Sequence, residues 1–238
     1  MPQEPESGQG DRGDQAADSG ARGLTAEAAS LATWADSLLL DHGVFRTVWD
    51  NFAEVIPGRL YRSNHPTPGR LARLVRLHGI RTVVNLRGEK PNGSNTLSLQ
   101  AARRLGLAHA FLAFESRGAP HRDRILRFHD LYGRMATPAL IHCKSGADRA
   151  GLAAGLAILF EGGRAAEALR QLSWRFGHVR GSRAGVLDAF FILYATTGEG
   201  RLPFLDWVDR EYDEARLRQT FAADRLASFI NDRLLRRE

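Results

Sequence analysis

"LIHCKSGADRAG", residues 140–151, decides how the rest of the chain is read. An apolar run ends at His142, the only cysteine of the 238 residues follows it, and after "KSGADR" the chain becomes a small-residue apolar stretch, "AGLAAGLAILF". That pattern predicts a buried strand, a tight turn and a buried helix. One cysteine rules out an internal disulfide and a multi-cysteine zinc cage, so the thiol serves either packing or chemistry. In α/β sheets the reactive groups lie past the carboxyl ends of the strands, where this turn places Cys143. A sharp strand-to-helix turn aims successive backbone N–H groups inward as an anion-binding nest, with a helix N-terminus beneath it. Those amides, together with Lys144 and Arg149, favour a thiolate at Cys143. Arg149 adds a planar fork suited to two oxygens of a phosphate.

Working outward, "EVIPGRLYRS" (54–63) predicts a short hairpin around a Pro-Gly turn, and a helix is predicted from Pro68 to Leu77. "GIRTVVNLRG" (79–88) predicts a buried strand, residues from about Thr96 a helix, "AHAFLAF" (108–114) a strand ending at Glu115, and 122–136 a helix. Alternation of this kind predicts an α/β fold with a parallel-rich central sheet flanked by helices. From Arg164 onward each segment is predicted helical, with Trp174 and Phe176 as core on one helical stripe. Trp207 and Tyr212 are expected to dock a C-terminal helix. The expected organisation is a disordered tail over 1–23, an α/β domain over 24–200 that includes an N-terminal amphipathic helix over 24–45, and an amphipathic helical extension over 201–238.

Hydrophobic residues make up 43% and charged residues 25%, ordinary for a soluble globular chain, and no apolar run is long enough to span a membrane. The polar, Gly-rich first residues lack the pattern of a secretory signal, so a cytoplasmic location is expected. All but two of the 33 basic residues are arginine, the exceptions being Lys90 and Lys144, and the net charge is +6. Such a body attracts anions: phosphorylated substrates or acidic lipid headgroups. No basic groove studded with aromatic residues and no helix-turn-helix pattern points to nucleic acid. The amphipathic segments at both ends allow peripheral association with an anionic membrane, and core packing explains them equally well.

In an arginine-rich chain, Cys followed by Arg at the sixth position is a weak sign alone. With His142, Gly146, Gly151, the apolar strand and the buried helix, His-Cys-x5-Arg-x-Gly resembles the phosphate loop of the cysteine-dependent protein tyrosine and dual-specificity phosphatases. "GRLYRSNHPTP" and "GIRTVVNLRGE" are similar to the opening of that domain, so the resemblance covers about residues 54–198. It implies a phosphotyrosine-phosphatase-like α/β fold with extra N- and C-terminal helices, and phosphomonoester hydrolysis through a phosphocysteine on Cys143. Substrate phosphate would be held by residues 143–149, namely Cys143, Lys144, Ser145, Gly146, Ala147, Asp148 and Arg149, without metal or cofactor. The substrate would be a phosphoprotein or another anionic phosphomonoester such as a phospholipid or phosphosugar.

Two positions depart from the family pattern. Ala150 stands where a Ser or Thr usually stabilises the leaving thiolate. The general acid, usually an Asp about 30 residues before the Cys, has Glu115 near its place; Asp148 within the loop is the other candidate, and Asp123 a more distant one. His142 reads as a satisfied histidine behind the site, which by the resemblance tunes the thiolate, and Arg87 and Arg62 read as structural or solvated cations, with the cleft rim as the alternative place for each. The other histidines show no metal-ligand spacing. A catalytically weak phosphate-binding module and a rhodanese-like sulfurtransferase are the competing readings.

Overall fold

A computed structural model describes residues 50–89 and 93–223 of the chain. The tail expected over 1–23, the helix expected over 24–45 and the last part of the C-terminal extension lie outside the described residues.

The Pro-Gly turn joins β1 (Ala53–Ile56) and β2 (Leu60–Ser63) as an antiparallel hairpin. Pro68 then opens α1 (Pro68–His78), whose first turn is capped by the Thr67 hydroxyl; Gly79, in the left-handed conformation, closes it. β3 (Thr82–Asn85), α2 (Gly93–Arg104), β4 (Ala108–Phe111), α3 (Arg122–Arg134), β5 (Ala139–His142) and α4 (Asp148–Phe160) follow in strict alternation. The sheet order is β1-β2-β5-β3-β4, with every pair after the hairpin parallel. β5 is therefore the middle strand, and His142 pairs in register with Ser63 on one side and Asn85 on the other. The residues after β2, β3, β4 and β5 all emerge at one edge, with Cys143 at its centre.

Side-chain alternation divides the core. Leu60, Val84, Ala139 and Ile141 face α3, α4 and the C-terminal helices, while Tyr61, Val83 and Leu140 face α1 and α2. α4 is apolar all round because it is covered on all sides. Its glycines permit this: a Cβ on Gly151 would lie 2.7 Å from the Gln171 carbonyl, and one on Gly155 would lie 2.6 Å from the Phe191 ring.

The segment after Arg164 departs from the expected helix. α5 (Ala165–Arg170) stops after six residues, and the chain continues through a 3-10 turn, Trp174–Phe176. The Gln171 carbonyl, which a longer helix would offer to the amide four residues on, instead accepts from the Arg62 guanidinium at 2.7 Å. Phe176 remains buried, whereas Trp174 is 81% exposed and is no core residue. α6 (Val186–Thr197) and α7 (Phe204–Arg210) complete the layer, followed by helical residues 214–223. The Trp207 and Tyr212 rings meet at 5.4 Å, tilted by 32°, within the same cluster as α4, and the Tyr212 hydroxyl donates to the Pro120 carbonyl. Glu214 accepts from the first amide of α3, so residues just past 201 share the domain core.

The close α4–α5 seam yields a test. Gly151→Ala pushes a methyl into backbone and should cost about 1–3 kcal/mol. A lowered urea midpoint at unchanged slope is expected; wild-type stability would show the seam to be loose.

Candidate active site

Cys143 follows β5 directly and is 1% exposed, at the floor of the turn. Its sulfur accepts a hydrogen bond from the Gly146 amide at 3.3 Å. Gly146 has φ +77°, and a Cβ there would sit 2.7 Å from the Asn64 amide, so the turn requires glycine.

The carbonyls of the turn are tied away from the sulfur one after another. That of Lys144 accepts from the His65 amide at 3.3 Å, and that of Ser145 from Asn51 Nδ2 at 2.7 Å. The Gly146 and Ala147 carbonyls accept from Arg62 Nη2 at 2.6 and 3.2 Å. With its carbonyls anchored outside, the turn directs its N–H groups inward. The Ala147 amide meets the Ser145 hydroxyl at 3.3 Å, and the next residue opens α4, whose N-terminus adds its dipole.

Arg62 is the main anchor and is fully buried. Its other terminal nitrogen donates to the Gln171 carbonyl and side chain at 2.7 and 2.9 Å, and its guanidinium lies 3.8 Å from the centre of the Phe176 ring. Burial pushes its pKa down to about 10; attraction to Cys143 acts against that shift and repulsion from Arg175 adds to it. It is therefore charged at neutral pH. Asn51, with φ 45°, uses the same amide nitrogen to bond the Phe176 carbonyl at 2.8 Å, binding the 3-10 turn to the loop.

His142 is buried and held well below its ordinary pKa, first by burial and then by repulsion from His65 and His109, while a hydrogen bond with the Cys143 backbone opposes the shift. The His65 ring meets it edge-on at 4.6 Å. A neutral His142 backs the cysteine. Arg87 is nearly buried after β3, and its charge also weighs against protonation of His142.

The Arg149 side chain is half-buried, and its Nε is shielded from solvent with no hydrogen-bond partner among the described residues. A buried donor of this kind fits an anion acceptor. Ala150 is fully buried, so the position beside Arg149 carries no hydroxyl. Glu115 lies on the loop after β4, where Arg124 of α3 bonds its Oε1 and His121 stands 3.4 Å away. Asp123 is the acidic residue in the first turn of α3.

Asp148 has a different setting. His178 Nδ1 lies 2.7 Å from Asp148 Oδ1, and its Nε2 lies 2.6 Å from Asp188 Oδ2 on α6. A carboxylate at each ring nitrogen demands two N–H donors, the imidazolium form. Burial alone would lower the His178 pKa, but its bonds to Asp148 and Asp188 and their charges outweigh that effect and raise it to about 9. Asn51, Gln171, His178 and Asp188 were not predicted as site residues. The histidine carries no distinguishing spacing, and its two partners lie 30 and 10 positions away.

Residues 50–177, more than half of the chain, match the family profile described as Swiss Army Knife protein, DSP-PTPase phosphatase domain. The chain belongs to this dual-specificity phosphatase family. It is accordingly a phosphatase of the protein-tyrosine/dual-specificity type, as the resemblance implied, and the sulfurtransferase reading has no support. Among solved structures it is similar to TpbA of P. aeruginosa, at 21% identity over 73% of this chain and 91% of that one, with a TM-score of 0.49. It is also similar to the core catalytic domain of the PP-IP phosphatase SIW14 of S. cerevisiae, at 17% identity over 74% and 93% with a TM-score of 0.46. PTPMT1 gives 17% identity over 60% and 94%, also with a TM-score of 0.46. No curated protein matches the chain by sequence. Among the described residues, no helix of this phosphatase is long and apolar enough to cross a membrane.

Because the His178 pKa stands above its ordinary 6.5, its stabilising contribution is fully present below about pH 6.5 and is lost as pH rises through about 9. Unfolding free energy should fall over that window in the wild-type phosphatase. His178→Asn should lose about 3–5 kcal/mol at neutral pH and show a flatter dependence there. An unchanged slope in the variant would remove His178 as its source.

Proposed function

We propose that the phosphatase hydrolyses phosphomonoesters through a phosphocysteine on Cys143. The observation that carries this reading is the turn itself: its carbonyls are anchored outward to His65, Asn51 and Arg62, while the Gly146 amide points at the sulfur. Bound there, a substrate phosphate takes the inward amides and the Arg149 fork as donors. The Cys143 sulfur forms a bond to phosphorus as the bond from phosphorus to the ester oxygen breaks. The departing electron pair stays on that oxygen, which takes a proton from a carboxyl group. In the second step water attacks phosphorus and gives a proton back to the carboxylate, inorganic phosphate leaves, and the thiolate is restored. Phosphoryl transfer is mainly positioning and charge stabilisation, which a preorganised nest and one arginine supply.

Asp148 is the acid favoured here, because it belongs to the loop and faces the His178 imidazolium at 2.7 Å, which hands it the proton that passes on to the leaving oxygen, whereas Arg124 of α3 and His121 just before it engage Glu115. The substrate is an anionic phosphomonoester, whether phosphoprotein, phospholipid or phosphosugar, consistent with the basic body of the chain. The buried methyl of Ala150 favours slow release of the thiolate, so the second step limits turnover.

Cys143→Ser should abolish hydrolysis of p-nitrophenyl phosphate, and full activity in that variant would end the reading. With phenyl phosphate, whose leaving group needs a proton, Asp148→Asn should cost about 10²–10⁴ in rate, and with p-nitrophenyl phosphate far less. Glu115→Gln should leave both rates nearly unchanged; the reverse pattern would make Glu115 the acid. Rapid mixing should show a burst of nitrophenol equal to the enzyme, and Ala150→Ser should raise the steady-state rate. A burst-free trace with no gain from the serine would place the slow step elsewhere.

A further inference from the structure

The segment 173–183 is the least covered part of the domain beside the phosphate loop. Trp174 is 81% exposed and Val179 54%, two of the three exposed large apolar side chains among the described residues. They are neighbours in space: both line one shallow pocket of about 340 Å³, with Leu169 and Leu172 behind them and Arg180 at its edge. Arg175, Arg180 and Arg183 are all exposed, and no acidic residue lies between Glu167 and Asp188 in sequence, while Glu211 and Asp213 line a second hollow with Arg180. Asp188, which reaches the same pocket, is buried and shares the His178 imidazolium with Asp148. The patch is joined to the site: the Phe176 carbonyl shares Asn51 with the Ser145 carbonyl, and His178 holds Asp148.

We propose that this rim seats the phosphatase on an anionic lipid bilayer, with the Trp174 and Val179 side chains in the headgroup layer, the arginines on lipid phosphates and the phosphate loop facing the membrane surface. Indole rings favour the boundary between headgroups and hydrocarbon. Arginine stems lie along apolar surface while their heads stay with anions. Cations of one sign around an apolar centre complement a negatively charged leaflet. The proposal names where the substrate of the preceding reading is met and rests on that reading only for its purpose; binding is measured without catalysis.

Full-length Cys143→Ser protein is sedimented with vesicles of phosphatidylcholine alone and of phosphatidylcholine with phosphatidylserine. Partitioning should be strong only with phosphatidylserine and should weaken with added salt. Arg180→Ser and Arg183→Ser should each weaken it roughly fivefold. Trp174→Ser with Val179→Ser should weaken it at least as much while p-nitrophenyl phosphate hydrolysis in the Cys143 background stays at the wild-type rate, which also shows that the variant folds. Equal binding to both vesicle types, or wild-type partitioning by the rim variants, overturns the proposal. So does loss of phosphopeptide-resin binding in rim variants whose vesicle binding is intact, which would assign the rim to a protein partner. Should Cys143→Ser keep hydrolysing the aryl phosphate, the catalytic reading fails and the vesicle result stands.

Discussion

A guanidinium with no access to water, pressed between the phosphate loop and the Phe176 ring, is the constraint from which the rest of the site follows. Burying a cation is costly unless its donors are used, and Arg62 uses its two terminal nitrogens on the Gly146 and Ala147 carbonyls and on Gln171. Lysine could not do this, since a point charge on a flexible stem cannot span the loop and the end of α5 with a rigid fork. By holding two successive carbonyls, Arg62 fixes this part of the turn, in which the Gly146 amide meets the sulfur. The same positive charge lies close enough to Cys143 to be attracted by it. The architecture and electrostatics around Cys143 therefore share one side chain on a neighbouring strand.

That sharing explains what was legible in the sequence. The apolar "ALIH" run, the lone cysteine and the glycine-spaced helix are local signals, and they place the turn at the carboxyl edge of a parallel-rich sheet, where the structure has it. The β-branched "TVVN" strand and the Pro-Gly hairpin are equally local. What holds the turn is not local. Arg62 meets Gly146 across 84 positions and Asn51 meets Phe176 across 125, and although Arg62 lies in the family-like "GRLYRSNHPTP", neither residue's local pattern announces its distant partner. Trp174 shows the same limit in reverse. Apolar spacing continued the helix past Leu172, but a distant arginine claimed the Gln171 carbonyl, and the next turn opened toward solvent.

Two carboxylates that are interchangeable by sequence are separated by their partners. Glu115, on the loop after β4, faces the Arg124 guanidinium of α3 and the His121 ring just before that helix. Asp148 is one end of a buried chain that runs through His178 to Asp188 and so links the first turn of α4 to α6. Each of the two has one oxygen bonded, Glu115 Oε1 to Arg124 and Asp148 Oδ1 to His178, so the difference lies in the partner: a guanidinium keeps its proton, and an imidazolium can give one up.

The stretch from Gln171 to His178 supplies partners to three residues of the cup and its supports: Gln171 to Arg62, the Phe176 carbonyl to Asn51, and His178 to Asp148. The same eight residues carry Trp174, and the exposed Val179 follows directly. The backbone that presents Trp174 and Val179 to solvent is thus the one that fixes Arg62, Asn51 and Asp148, by hydrogen bonds of 2.7 to 2.8 Å.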